Sequence, residues 1–321
     1  MDIRAWFGKR KAKPAAPIPD QEAYRAFNCG ELQLAAAEFN RLAEQHPTRS
    51  DYAYMLGLAH KYQRNWSLSL AANQRAVELE SEQGSHWNAG IAATAVGDWP
   101  EARRQWVACG LNVTPGEGPI EDNYGTVSVR INPWADAETL YARRIDPARA
   151  YLMNVPLPKS GYRFRDLVLH DGAKTGERQF SGKTVPVFNA MQRLQQSDFM
   201  TFAAFVSCPT AEDCDDLCER SAPGIGLAED WSGISYYCLR CSYGSPHDHA
   251  KDKPDSDWDP DRSIGIAAQS RTAVESLLAQ WAEAAPGRYV ESIELTQHEL
   301  TEPGDGSVWW REPDPISSEN P

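Results

Sequence analysis

The chain has no run of about 18 consecutive apolar residues, the length a membrane-crossing helix needs, so no integral membrane segment is expected. Its first residues lack the roughly 7–15-residue apolar core of a secretory signal, which makes a cytoplasmic location the expectation. No His-Glu-x-x-His or His-x-Glu box is present, no Gly-rich phosphate loop and no serine nucleophile elbow. The common signatures of zinc hydrolases, deaminases, nucleotide binders and serine hydrolases are thereby missing. Basic charge is also scarce: 32 Lys and Arg face 45 Asp and Glu, for a net charge of −13. Arg4, Lys9, Arg10, Lys11 and Lys13 against Asp2 give the first 13 residues +4, which leaves −17 for the rest. A duplex binder needs a basic face to displace counterions. An acidic body therefore argues against nucleic acid and suits a basic protein partner. The seven cysteines are odd in number, and with no secretory signal they read as reduced thiols. Five of them fall between 208 and 241, a clustering that favours a metal.

With 321 residues, 41% hydrophobic and 24% charged, the chain is suited to more than one soluble domain. Residues 1–20 read as a flexible basic tail: Ile3, Trp6 and Phe7 precede the lysines, and Pro14, Pro17 and Pro19 stop any helix. The alternatives for it are a solvated leader and a weak surface anchor.

Residues 21–115 carry an internal repeat. Gly57 to Gly90, Trp66 to Trp99 and Ala76 to Cys109 are each 33 residues apart. A weaker copy lies 34 residues upstream, aligning Ala23 with Gly57 and Leu32 with Trp66. A period near 34 with helical patterning indicates stacked helix pairs, none of which can bury its apolar face alone. The turns within the pairs are Gly30-Glu-Leu, Arg64-Asn-Trp and Gly97-Asp-Trp. The second helices carry Ala35, Ser69 and Ala102, then Phe39, Asn73 and Trp106, of which Asn73 departs from the pattern. This segment resembles the tetratricopeptide repeat (TPR) family. The resemblance implies a concave, peptide-binding face with Tyr54, Lys61, Tyr62 and Trp87 on it. The alternative for these four is packing against the following domain, which would cap a short array. The lysine–asparagine set with which some members hold a C-terminal carboxylate is not found.

Residues 116–197 read as an antiparallel β region, resembling a small barrel. Thr126–Ile131, Thr139–Arg144, Ala150–Val155 and Asp166–Leu169 are the strands, and Val185–Leu194 is a strand followed by a short helix. Residues 198–300 follow the order β-α-β-β-α-β of a ferredoxin-like unit. Its strands are Phe199–Val206, Ile234–Cys238, Ser263–Ala268 and Tyr289–Leu295; its helices are Thr210–Arg220, capped by Thr210, and Arg271–Ala282. An insertion at 238–262 separates the middle strands, and 301–321 is a C-terminal tail whose Trp309-Trp310 serves as an apolar anchor or docking patch. The fold class expected is α+β, multidomain.

The insertion holds Cys238-Leu-Arg-Cys241 and, beyond a Ser/Gly/Pro turn, His247 and His249. Two thiols on a Cys-x-x-Cys turn and two imidazoles are a tetrahedral zinc set, similar to a zinc knuckle but with the last two ligands closer. A second solution recruits Cys214 and Cys218, on one helix face at i, i+4, with Cys208 as a further candidate. Unmetallated thiols are the bland alternative. No general base accompanies the cluster, so the zinc expected is structural.

His170-Asp171-Gly172 reads as a strand-to-turn junction, because neighbours on a strand point to opposite faces and rarely form a dyad. Asp255, Asp257, Asp259 and Asp261 read as a solvated acidic loop, since Pro260 and Ile266 stand where a calcium hand needs Gly and Glu. The function expected is that of a non-enzymatic, cytoplasmic interaction or adaptor protein. The alternatives are neutralisation of a basic toxin domain, as acidic bacterial immunity proteins do, and a metal-dependent hydrolase in 116–321.

Overall fold

A computed structural model describes residues 20–232, 258–295, 298–301, 303 and 307–308. The chain is a mixed α+β protein: helices first, then a barrel, then a sheet with, among the described residues, two helices.

The six N-terminal helices are α1 (Gln21–Asn28), α2 (Leu32–Gln45), α3 (Ser50–Tyr62), α4 (Trp66–Leu79), α5 (Gln83–Val96) and α6 (Trp99–Ala108). Each packs on the next, and α3 also touches α5. The turns inside the three pairs are alike. Gly30, Arg64 and Gly97 all take left-handed backbone, with φ of 80°, 59° and 77°. The residue after each returns its N–H to a carbonyl five residues back: Glu31 to Ala26, Asn65 to His60 and Asp98 to Ala93, each at 2.9 Å. That bond satisfies carbonyls the helix end would otherwise orphan, and glycine is its usual host. Between paired helices Gly57 leaves room for Asn73, and Gly90 for Trp106. Asn73, the departure from the large-residue pattern, bonds instead to the Ser69 carbonyl at 2.8 Å.

Strands β1 (Thr126–Ile131), β2 (Glu138–Arg144), β3 (Arg149–Leu152), β4 (Leu167–Phe180) and β5 (Lys183–Gln195) close into a barrel. Neighbours run antiparallel except at the closure, where β1 pairs parallel with β5 through Ser128–Val187 and Arg130–Asn189. Val127, Val129, Leu140, Ala142, Leu152, Val168 and Phe188 fill its interior. The β4–β5 hairpin turns on Ser181 and Gly182, both at positive φ (46° and 75°), the geometry that suits strand twist. β5 is one strand to Gln195, so the short helix expected at its end does not form. Ala190 and Met191 are buried on its opposite faces, which holds the segment extended.

The last unit comprises β6 (Met200–Ser207), α7 (Ala211–Glu219), β7 (Ile225–Asp230), β8 (Asp261–Ala268), α8 (Arg271–Ala284) and β9 (Tyr289–Leu295). The sheet order is β7-β8-β6-β9, antiparallel throughout. Thr210 caps α7 in a reciprocal box with Asp213, which matches the sequence expectation. The second described strand is Ile225–Asp230; 234–238, where the sequence predicts one, lies outside the described residues along with most of the insertion. Gly226 lets this strand pass under Phe164 and Phe199. One sheet face packs on α7 and α8 through Phe202, Ile264, Ile266, Leu277 and Trp281. The other lies against the barrel, where Trp231 Nε1 donates to the Val155 carbonyl at 3.3 Å.

Candidate functional site

The inner helices meet the barrel at a bulge in β4. His170 pairs with Ala190 and Lys174 with Phe188, so three residues of β4 stand opposite one of β5. Extra residues leave the ladder and re-aim side chains, and here they push Asp171 and Gly172 into the helices. Lys61 Nζ donates to Asp171 Oδ1 at 2.9 Å and to Asn88 Oδ1 at 3.0 Å. The Tyr62 hydroxyl donates to Asp171 Oδ2 at 3.1 Å, and the Gly172 N–H returns to Asp171 Oδ1 at 2.7 Å. Gly172 is pressed on Trp87: a Cβ there would lie 1.6 Å from Trp87 Nε1. Lys61 is 3% exposed and Asp171 6%. Burial pushes the Asp171 carboxyl up, but Lys61, Tyr62 and the Gly172 amide outweigh it and hold it below its usual value. Burial, then Asp171, pushes the Tyr62 phenol well above its usual range.

The structure thus brings Lys61, Tyr62 and Trp87 together around Asp171, with the mostly buried Tyr54 bonded to Asn88 beside them. They pack against the chain's own barrel, the alternative that the sequence offered for these four residues. Lys61 bonds Asn88 as well as Asp171, so the carboxylate beside this lysine is the chain's own. Asp171 is a site residue that strand alternation conceals, because a bulge cancels the alternation. Lys61 is the signal that could have found it: a buried lysine requires a carboxylate. Nearby, Val308 is buried among the same residues, with its N–H bonded to the Tyr62 carbonyl at 2.7 Å; Trp309 and Trp310 lie outside the described residues.

His170 sits mid-strand, not at a strand end. Its Nδ1 donates to the Asp171 carbonyl at 2.8 Å, so Nε2 carries the free lone pair. The ring stacks on Phe188 with centroids 4.8 Å apart. Burial, then the Arg144 charge, bring its pKa down to about 3.

The thiols of the α+β unit gather where the insertion leaves and returns. Cys208 follows directly on β6, and Cys214 and Cys218 share one side of α7. Cys208 and Cys214 are buried in the core, with Cys218 against it. The Cys208 N–H donates to the Pro260 carbonyl at 2.7 Å, and Trp258 Nε1 to the Cys208 carbonyl at 2.7 Å. Burial pushes Cys208 and Cys218 up to about 12 and Cys214 above its usual value. Cys238, Cys241, His247 and His249 lie outside the described residues, as do Asp255 and Asp257. Among the described residues, no group of three or more His, Cys, Asp or Glu is arranged to hold a metal ion, and no helix is long and apolar enough to cross a membrane.

No family model matches the chain, and no curated protein matches it. One solved structure, described as a novel crystal structure of a hypothetical protein from Neisseria gonorrhoeae, is similar to it at 9% identity. The likeness covers 55% of this chain and 96% of that one, with a TM-score of 0.23, too loose to bear on fold or function.

Proposed function

We propose that the chain is a non-enzymatic, cytoplasmic adaptor that presents an acidic surface to a basic protein partner. The observation that carries this reading is where the charge lies. In the described parts of the α+β unit, residues 198–232 and 258–295, fourteen Asp and Glu face four arginines. The barrel, residues 116–197, holds eleven Lys and Arg against nine Asp and Glu. Glu212, Asp215, Glu219, Glu275, Glu283, Glu291 and Glu294 are all exposed. Charge of one sign on one module steers an oppositely charged partner and speeds association. The same concentration favours, as a second reading, neutralisation of a basic toxin domain.

In this reading the helices are a TPR-like array spent on internal scaffolding. The repeated left-handed turns at Gly30, Arg64 and Gly97 support it. The last unit is ferredoxin-like, supported by the order β7-β8-β6-β9. The chemistry of the buried groups also fits a non-enzymatic role. Thiols pushed up to about 12 are poor nucleophiles, and His170 is neutral with its Nδ1 tied to backbone. A structural zinc at Cys238, Cys241, His247 and His249, or one drawing on Cys214, Cys218 or Cys208, would pin the insertion.

Affinity capture at about 50 and about 300 mM salt, with wild type and with Glu212→Lys/Asp215→Lys/Glu291→Lys/Glu294→Lys, tests the partner. A basic partner lost at high salt and lost with the variant supports the reading; partners indifferent to both overturn it. Protection of cells from a basic toxin domain selects the second reading. Metal analysis of protein purified without chelator tests the zinc. One equivalent lost in Cys238→Ser and His247→Ala places it in the insertion, loss in Cys214→Ser moves it to α7, and no metal in the wild type rejects it.

A further inference from the structure

The four-stranded sheet ends in β9, which among the described elements pairs only with β6. The open side of an edge strand presents a row of backbone N–H and C=O groups, a template for another strand. Over Tyr289–Leu295 this row contains no proline and no lysine, the residues that commonly close an edge. Large apolar side chains stand out at both of its ends, Tyr289 at 62% and Leu295 at 47% exposed. Val290 and Ile293, three residues apart, both pack against the core under the helices. The register skips Glu291 between them, and that extra residue turns the side-chain alternation over.

The edge is also acidic. Glu291 and Glu294 are exposed. The four arginines in the described parts of the unit are held elsewhere: Arg220 by Asp216, Arg262 by Asp230, Arg271 by Glu275, and Arg288 by Asp213 and Asp216. A second copy of β9 would bring two more glutamates onto one short ladder, and like charges across a strand pair are destabilising, whereas opposite charges stabilise it. A cation already reaches this edge, since Arg271 Nη2 donates to the Ile293 carbonyl at 3.1 Å.

We propose that β9 takes up a basic, extended segment of the partner protein as a further strand of the sheet, with lysines or arginines of that segment facing Glu291 and Glu294. The inference rests on the adaptor reading and states the form in which the basic partner is held. Main-chain hydrogen bonds give such an addition its affinity, and side chains give it its choice of partner. Side chains alternate along a strand, so the segment that fits carries basic residues alternating with apolar ones that cover Tyr289 and Leu295.

A synthetic peptide of alternating lysine and valine, about as long as β9, tests this on the full chain by amide hydrogen exchange. The β9 amides that do not bond to β6 are expected to gain about tenfold protection when the peptide is added. The gain is expected to vanish in Glu291→Lys/Glu294→Lys and to persist in Glu212→Lys/Asp215→Lys, whose charges lie on α7. A glutamate–valine peptide of the same length is expected to give no gain. No gain in the wild type, or an equal gain with both peptides, overturns strand addition. Capture of a basic partner that is lost with the α7 variant and kept with the β9 variant retains the adaptor reading and rejects this edge. Should Glu291→Lys/Glu294→Lys fail to fold, exchange of the wild type at about 300 mM salt decides: a gain that shrinks supports the proposal, and one that is unchanged overturns it.

Discussion

Lys61 on α3 and Asp171 in the β4 bulge, 110 residues apart in the chain, form a buried ion pair at 2.9 Å. Each is the main neutraliser of the other, and both lie in the seam that joins helices to barrel. Removing one partner strands a charge out of water. Lys61→Met and Asp171→Asn are each expected to cost about 3–5 kcal/mol. The pair Lys61→Met/Asp171→Leu should cost clearly less than the sum. Urea unfolding of the three variants in a double-mutant cycle checks this.

Gly172 is the other half of the seam. An alanine there meets the Trp87 indole, and overpacking of this kind costs about 1–3 kcal/mol. Gly172→Ala is expected to lower the unfolding midpoint accordingly, and Trp87→Leu in the same chain to recover part of the loss. Equal costs with and without Trp87 would show that the clash is not the cause.

These two positions mark where the sequence can and cannot be read. The helical pairs are legible because Gly57 and Gly90, and Trp66 and Trp99, recur at one spacing, and a packing requirement repeated in space repeats in sequence. The capped start of α7 and the strand Tyr289–Leu295 are legible for local reasons: a side-chain cap and a run of β-formers. The bulge is not, because Asp-Gly reads as a turn wherever it occurs. The ladder continues past it only through pairing with β5, which local residue patterns do not show. Ile225–Asp230 escapes for a similar reason. Gly226, Glu229 and Asp230 look like loop residues, yet Gly226 admits Phe164 and Phe199, and Glu229 has its partners on the barrel loop.

His170 makes stability fall in acid. Its folded value, about 3, lies below the unfolded 6.5, so its contribution is complete above pH 6.5 and is lost as pH falls toward 3. At about 1.4 kcal/mol per pKa unit the full effect is on the order of 5 kcal/mol. Denaturant unfolding between pH ~7 and pH ~4 should show a steep loss in the wild type and a shallower one in His170→Phe, which keeps the stack on Phe188.

The core thiols should resist alkylation. At pH ~8 a thiol near 12 is about a thousandfold less ionised than one at its usual value. In native protein, mass spectrometry after brief iodoacetamide treatment should find the exposed Cys29 labelled first, with Cys208 and Cys218 labelled only on unfolding. Rapid native labelling of Cys208 would contradict the buried placement.

The parallel closure of β1 on β5 has a mechanical meaning. Chain from the helices enters at the start of β1, and chain to the last unit leaves at the end of β5. In a parallel pair those points lie at opposite ends of the seam. Tension between the flanking modules therefore draws the two strands past each other, loading the closing hydrogen bonds together instead of one after another. Once the grip of Lys61 on Asp171 is released, the barrel is the element that bears the pull.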